Sequence, residues 1–434
     1  MPGHKGRFLE SAQALGKAAD LTELPGLDDL SQPTGVLHKL EQRAARVWGA
    51  ATSIISVNGA SAGIISAICS LAAGKRRFLI PRNTHRCAVS ALVLSGLEPI
   101  WYEPVWHPGW GLWAGVSSTY VRRLFESLDC ADIAGMLVVS PTYAGVVSDI
   151  QVLADICHEH DLPLLVDEAH GAHFLNSSYP ASALQQGADL VVHSLHKTLP
   201  ALTQTGVIHL APASHDAVDA ALIKRHLNLI QSSSPSYPLL QSVESSIDYL
   251  ASEEGKAKLS RVAELRLDTE KALSCLSRFE FLSAQFATDP MHLFVAVTGA
   301  KPDDLYEYCA EQGIFAEAIL GKGVLFLFGI GTDEEDVQLL WQALKSFKDQ
   351  PVNMVFQEPP TFIYPQEQII SPREAFLLPS HVVPTHEAVG RIAAECLAPC
   401  PPGIPICVPG QRVHPEVMNL TNVKEIRVVC GPIG

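Results

Sequence analysis

Leu164-Leu165-Val166-Asp167-Glu168-Ala169-His170-Gly171-Ala172-His173 opens on an apolar run and breaks abruptly into acid and histidine. A short apolar run of this kind reads as a buried strand. In open parallel sheets, ligands bind beyond the carboxyl ends of the strands, so Asp167 stands where a site belongs. An acid in that place can equally cap a following helix. Leu190-Val191-Val192-His193-Ser194-Leu195-His196-Lys197-Thr198 repeats the pattern and ends in a lysine. A lysine so placed is poised to form a Schiff base with a carbonyl.

Outward from these two runs, short apolar segments alternate with helical ones. Strands are expected at Arg77–Ile80, Gly135–Val139, Pro163–Val166, Leu190–His193 and Gly206–Leu210, with helices at Ala62–Ala73, Cys87–Leu94 and Val152–His160. An amphipathic helix over Val36–Trp48 precedes them. The alternation implies an α/β domain with a mainly parallel sheet, set at 36–238 after an extended arm at 1–35. Linking helices over 239–280, broken near Ser252 to Gly255, lead to a small α+β domain at 281–348. Its expected strands are His292–Val297 and Val324–Gly329, and its expected helices are Asp303–Gln312 and Asp333–Phe347. Thr332 and Glu335 have capping-box spacing at the start of the last helix. The tail, 349–434, is proline-rich, and Pro401-Pro402-Gly403-Ile404-Pro405 can be neither helix nor central strand. It reads as a linker or as a structured loop over a site.

Val57-Asn58-Gly59-Ala60-Ser61-Ala62-Gly63 runs into an apolar helix at Ile64. Small residues let a phosphate approach the backbone, and a helix start offers free N–H groups and a positive dipole end. Such a phosphate cradle, a strand-end Asp and a strand-end Ser-x-His-Lys are, in that order, what pyridoxal 5′-phosphate (PLP) requires. The acid pairs with the ring nitrogen and the lysine takes the aldehyde.

Composition narrows the classes. The 434 residues are 47% hydrophobic and 18% charged, which is globular and suggests more than one domain. A formal net charge of −15 argues against a nucleic-acid partner, which needs clustered Lys and Arg. No apolar signal core follows Met1, and no uninterrupted run reaches the about 18 residues of a membrane span, so a cytoplasmic protein without membrane contact is expected. Ten scattered cysteines, several in apolar stretches, read as reduced thiols. The prolines among Cys396, Cys400 and Cys407 spoil a zinc knuckle, and no metal is expected.

The motifs taken together resemble the Orn/Lys/Arg decarboxylase family of fold type I PLP enzymes, in a compact form. They are Pro2-Gly3-His4-Lys5-Gly6, Asn58 to Gly63, Arg82-Asn83-Thr84-His85, Asp167 to His173, Ser194 to Thr198, Gly390-Arg391-Ile392 and Pro401 to Pro405. The resemblance implies decarboxylation of lysine, arginine or ornithine to the corresponding di- or polyamine. It implies that Lys197 bears the cofactor, Asp167 holds the ring-nitrogen proton and His85 stacks on the ring. Asn58, Gly59, Ser61, Ala62, Ser194 and His196 lie around the phosphate, and Ser232 reaches the phosphate of a neighbouring subunit in a homodimer or higher homo-oligomer. Glu387, or Glu395 in its place, faces the substrate's distal cation, and Lys197 or His170 returns the proton to Cα.

The chain departs from the family in three places. It shows no N-terminal wing domain, Met1 abuts the first motif, and Cys400 stands where a tyrosine is frequent. The rival readings are another fold type I reaction, such as transamination or aldol cleavage, a non-catalytic protein that kept the fold, and a metal hydrolase built on His170 and His173.

Overall fold

The computed structural model describes residues 26–348, 367–400, 402–417 and 423–431. Pro2 to Gly6, most of the expected arm, Pro401 and the first part of the expected tail lie outside the described residues.

Seven strands form the main sheet: β1 (Thr52–Ser56), β2 (Arg77–Pro81), β3 (Glu98–Tyr102), β4 (Ile133–Val139), β5 (Leu164–Asp167), β6 (Leu190–Ser194) and β7 (Gly206–Leu210). Their order is β1-β7-β6-β5-β4-β2-β3. Pairing is antiparallel on both sides of β7 and parallel elsewhere, so β7 alone runs against the rest. The apolar runs are continuous because both faces are covered. Leu165, Val192 and Ile208 pack under one helical layer, while Leu164, Val166, Val191 and Val207 pack under the other.

Five helices position the site: α1 (Val36–Trp48), α2 (Gly59–Leu71), α3 (Arg86–Ser95), α4 (Ser118–Glu126) and α5 (Ile150–Glu159). The small residues of α2 let it lie close on the sheet. A Cβ at Gly63 would stand 2.8 Å from Val192 Cγ1 and 3.0 Å from Ile208 Cγ1. That close packing brings the N-terminus of α2 to the carboxyl edge of the sheet.

Two linking helices, Tyr237–Ala251 and Glu253–Ser274, meet at Ser252, whose hydroxyl accepts from the Gly255 amide and caps the second. They lead to a four-stranded antiparallel sheet, β8 (Phe279–Phe281), β9 (His292–Val297), β10 (Ala318–Leu320) and β11 (Gly323–Leu327), ordered β8-β9-β11-β10. Arg266, buried in the second linking helix, donates to the His292 carbonyl at 2.9 Å and ties the two parts together. The last helix of this part is Glu334–Ser346, and its capping box is Asp333 with Asp336, one residue later than Thr332 and Glu335. Thr332 turns its hydroxyl back to the Gly329 amide instead. In the tail, Ser380–Pro384 pairs with Glu425–Val429 over a small core of its own.

Candidate active site

The carboxyl ends of β1, β2, β4, β5 and β6 converge on one cavity of about 180 Å³, lined among others by Gly59, His85, Val139, Asp167, Ser194 and Lys197. It occupies the position that open α/β sheets reserve for ligands.

Lys197 sits in a single helical turn, Leu195–Thr198, which leaves β6 directly. Its Nζ lies 2.9 Å from His170 Nε2. Burial lowers the Lys197 pKa and the nearby Asp167 carboxylate opposes that shift. Burial, and then the charge of Lys197, hold the His170 imidazole far below its ordinary pKa. The pair is therefore a half-buried amine beside a buried neutral ring, between which a proton can pass. His170 Nδ1 has no hydrogen-bond partner within the protein. Asp167 is buried, and its Oδ1 accepts from the Ala169 amide at 3.1 Å.

At the other end, Gly59, Ala60 and Ser61 present the start of α2 to the cavity. Gly59 needs its φ of +73° to make this turn. Gly206 has to be glycine, because its Cβ would stand 2.7 Å from the Ala60 nitrogen. Ser194 and His196 line the same end, with Ser194 Oγ 3.3 Å from His196 Nδ1. Asn58 faces solvent, its amide donating to the Ile230 carbonyl. Ala62 is buried behind the lining, and its carbonyl accepts from the Ser66 hydroxyl.

His85 caps α3, its Nδ1 accepting from the Cys87 amide at 3.2 Å. Burial lowers its pKa, against the pull of Asp167, which leaves a neutral ring in the cavity wall. The proline-rich tail closes over this ring. Pro402 and Ile404 line the cavity, and a Cβ at Gly403 would stand 2.9 Å from the imidazole. Pro402 to Ile404 thus form a loop over the site.

The structure does not bring the remaining candidates into this cavity. Ser232 is exposed and bonds within its own turn, to Ser234. Glu387 is 57% exposed beside His386, and Glu395 accepts from the Arg427 amide. Asn83, Cys87, Pro141 and Tyr143 also line the cavity, and the sequence assigns none of them a role of its own. Tyr143 stands edge-on to His170, with centroids 5.4 Å apart, and its hydroxyl donates to Glu317 at 2.6 Å. It follows β4 closely, so the strand-end rule that located Asp167 could have found it. A second cluster stands behind His170. Asp289 bonds His173 at 2.8 Å, and its other oxygen lies 2.8 Å from His292 Nδ1. Among the described residues no group of His, Cys, Asp and Glu is arranged to hold a metal ion.

Family models match over most of the chain: Orn/Lys/Arg decarboxylase, major domain, at residues 13–289, and Orn/Lys/Arg decarboxylase, C-terminal domain, at residues 360–425. The chain belongs to the Orn/Lys/Arg decarboxylase family. Among its relatives, an arginine decarboxylase of Halalkalibacterium halodurans is 30% identical over 98% of this chain and 89% of its own length. An arginine decarboxylase of Bacillus subtilis is 31% identical over 96% and 88%. The solved structure of the E. coli constitutive lysine decarboxylase superposes with a TM-score of 0.78 at 21% identity, covering 92% of this chain and 69% of that one. The architecture is therefore that of fold type I, with a mainly parallel large-domain sheet and smaller C-terminal parts.

Proposed function

We propose that this Orn/Lys/Arg decarboxylase removes the α-carboxylate of a basic L-amino acid, with PLP carried on Lys197. The observation that carries the reading is the contact of half-buried Lys197 with buried His170 beside Asp167, in a cavity that opens at its far end onto a helix start.

The donor set fits the cofactor. The N-terminus of α2, with Ser61, Ser194 and His196, offers N–H and hydroxyl donors to a phosphate. Asp167 is the acid available to keep a ring nitrogen protonated, and the neutral His85 ring is the face available for stacking. When bound, PLP supplies the electron sink for the pair released as the Cα–carboxylate bond breaks. The chain's own work is to hold and move charge. Asp167 keeps its carboxylate out of bulk water, where its attraction for a protonated ring nitrogen is strongest. His170 Nε2 and Lys197 Nζ lie 2.9 Å apart, close enough to pass a proton between them and deliver it to Cα. Tyr143, Pro402 and Ile404 keep water from the reacting face.

Three finer readings belong to the same proposal. Arginine is the first substrate to test, since the relatives of Halalkalibacterium halodurans and Bacillus subtilis, matched over 98% and 96% of this chain, are named arginine decarboxylases. The active unit is a homodimer in which the exposed Ser232 serves a partner's phosphate site. The compartment is the cytoplasm, supported by ten cysteines that are all free thiols. Among the described residues no helix is long and apolar enough to cross a membrane.

An amine-product assay of the PLP-loaded protein with arginine, lysine and ornithine in parallel tests the reading. CO2 release with the matching amine from at least one of them is expected. Keto-acid formation without CO2 would turn the site into a transaminase.

A further inference from the structure

Four of the six tryptophans, Trp101, Trp106, Trp110 and Trp113, fall within one short stretch. Part of that stretch folds as a hairpin in which Trp106–His107 pairs with Leu112–Trp113, and the register sets Trp106 directly opposite Trp113. Their rings meet edge to face, with centroids 5.3 Å apart. The turn between β10 and β11 packs onto this hairpin, and there Gly321, at φ +50°, comes so close to the Trp110 carbonyl that no side chain fits.

Beneath the hairpin lies a second cavity of about 250 Å³. It shares Asn83, Tyr143, Pro402 and Ile404 with the cavity of Lys197, so the two are joined at a neck. Its walls come from the sheet domain, the small domain and the tail. They are mostly apolar and aromatic, and among the described residues no carboxylate lines it. The neck is not apolar. Asn83 is 5% exposed, and its side-chain oxygen has no hydrogen-bond partner within the protein. A buried acceptor left unpaired is costly, and an N–H donor from a ligand would satisfy it. Tyr143, the other side of the neck, is backed by Glu317.

We propose that this second cavity is the side-chain subsite of the same active site and that it receives a guanidinium, lodged against Trp106 and Trp113 with the Asn83 oxygen as an acceptor. The inference rests on the decarboxylase reading and adds the chemical class of the substrate's far end. A guanidinium is planar, weakly hydrated and stacks on aromatic faces. An ammonium is a strongly hydrated point charge and calls for a carboxylate in the wall. Glu387 and Glu395 line neither cavity of their own chain, which leaves this subsite as the receptor that one chain builds by itself.

Binding of agmatine and of cadaverine to the PLP-loaded protein, followed by tryptophan fluorescence, tests this without requiring turnover. Agmatine is expected to bind at least about tenfold more tightly than cadaverine, and Trp106→Leu to weaken agmatine about tenfold, within the range of a desolvated cation–π contact. The PLP absorbance should stay as in the wild type. Trp106→Phe keeps a ring face and loses an indole N–H that has no partner in the protein, so it should bind agmatine nearly as the wild type does. Trp113→Leu provides the same test from the opposite wall if Trp106→Leu does not fold. Equal binding of the two amines, or agmatine binding indifferent to both leucine variants, overturns the subsite. A protein that decarboxylates lysine yet ignores agmatine would sink the subsite and leave the decarboxylase reading standing. Tryptophan-dependent agmatine binding without any amine product would do the reverse.

Discussion

Two buried histidine clusters share one short segment of chain and are built to opposite ends. In the first, Ser53 Oγ lies 2.7 Å from His209 Nδ1, His209 Nε2 3.1 Å from His193 Nδ1, and His193 Nε2 2.7 Å from Glu168 Oε2. With Glu168 ionised, every link has one donor and one acceptor, and Glu168 also accepts from the Ala183 amide. Trp48 lies over both rings, with centroids 5.7 and 5.0 Å away. In the second cluster, His170 Nδ1, His173 Nδ1 and His292 Nε2 have no partner within the protein. Glu168 serves the first cluster and His170 the second, two residues apart. A satisfied polar network rigidifies a fold, whereas unsatisfied buried groups are expected where a ligand or reacting proton completes them. By that test the first cluster is architecture, and the second is the one that a ligand or a reacting proton would complete.

The comparison breaks most visibly at Lys197. Lys197→Ala should leave no amine product above background. Borohydride reduction of the PLP-loaded wild type should fix the label on Lys197, and the variant should take none. A label recovered on another lysine would remove the second cluster from the chemistry. His170→Gln comes next. If the ring hands a proton to or from Lys197, kcat should fall by about 10²–10⁴-fold with PLP still bound. A loss below tenfold would reduce His170 to packing against Tyr143.

The fold was legible where burial is two-sided. The runs at Leu164–Val166, Leu190–Val192 and Gly206–Leu210 are central strands and carry nothing but apolar residues or a glycine or histidine. Within the main sheet, β1 and β3 are the two strands that the sequence does not predict, and they are its two edges. Thr52-Ser53-Ile54-Ile55-Ser56 mixes hydroxyls with isoleucines, and β3 carries Pro99, which an edge tolerates. Within the site, Asp167, His170 and Lys197 were legible because each stands just past an apolar run. The Asp289–His292 pair was not, because the folded chain brings it there from a distant segment. The acids of the tail were assigned by resemblance alone, and the cavity of this chain does not contain them.

The first cluster should fail differently from the second. Glu168→Ala removes the acceptor for both the His193 ring and the Ala183 amide. Leaving two buried donors unpaired should cost about 1–3 kcal/mol each, read from denaturant unfolding. Activity per folded molecule should change little. A variant of wild-type stability with kcat lowered a hundredfold would place Glu168 in the reaction and dissolve the distinction.

The smallest effect expected is the dependence of stability on pH. Burial, and next the neighbouring His193, push the His209 pKa far below the ordinary value of 6.5. The native state therefore keeps His209 neutral well below the pH at which the unfolded chain takes up a proton. Between that ordinary value and the depressed one, the unfolded state binds more protons, and stability falls as pH falls. One such group contributes a slope of up to about 1.4 kcal/mol per pH unit, starting below about pH 6.5. His170 is depressed in the same direction, so the wild type should show the combined slope of both. His209→Asn should be less stable at pH 7.5, because the relay is cut, but its stability should decline more gently from pH 6.5 to 5.5, by about one proton. Denaturant unfolding at each pH measures both. If the wild type and the variant lose stability in parallel over that window, His209 is charged in the native state and the directional relay from Ser53 to Glu168 does not exist.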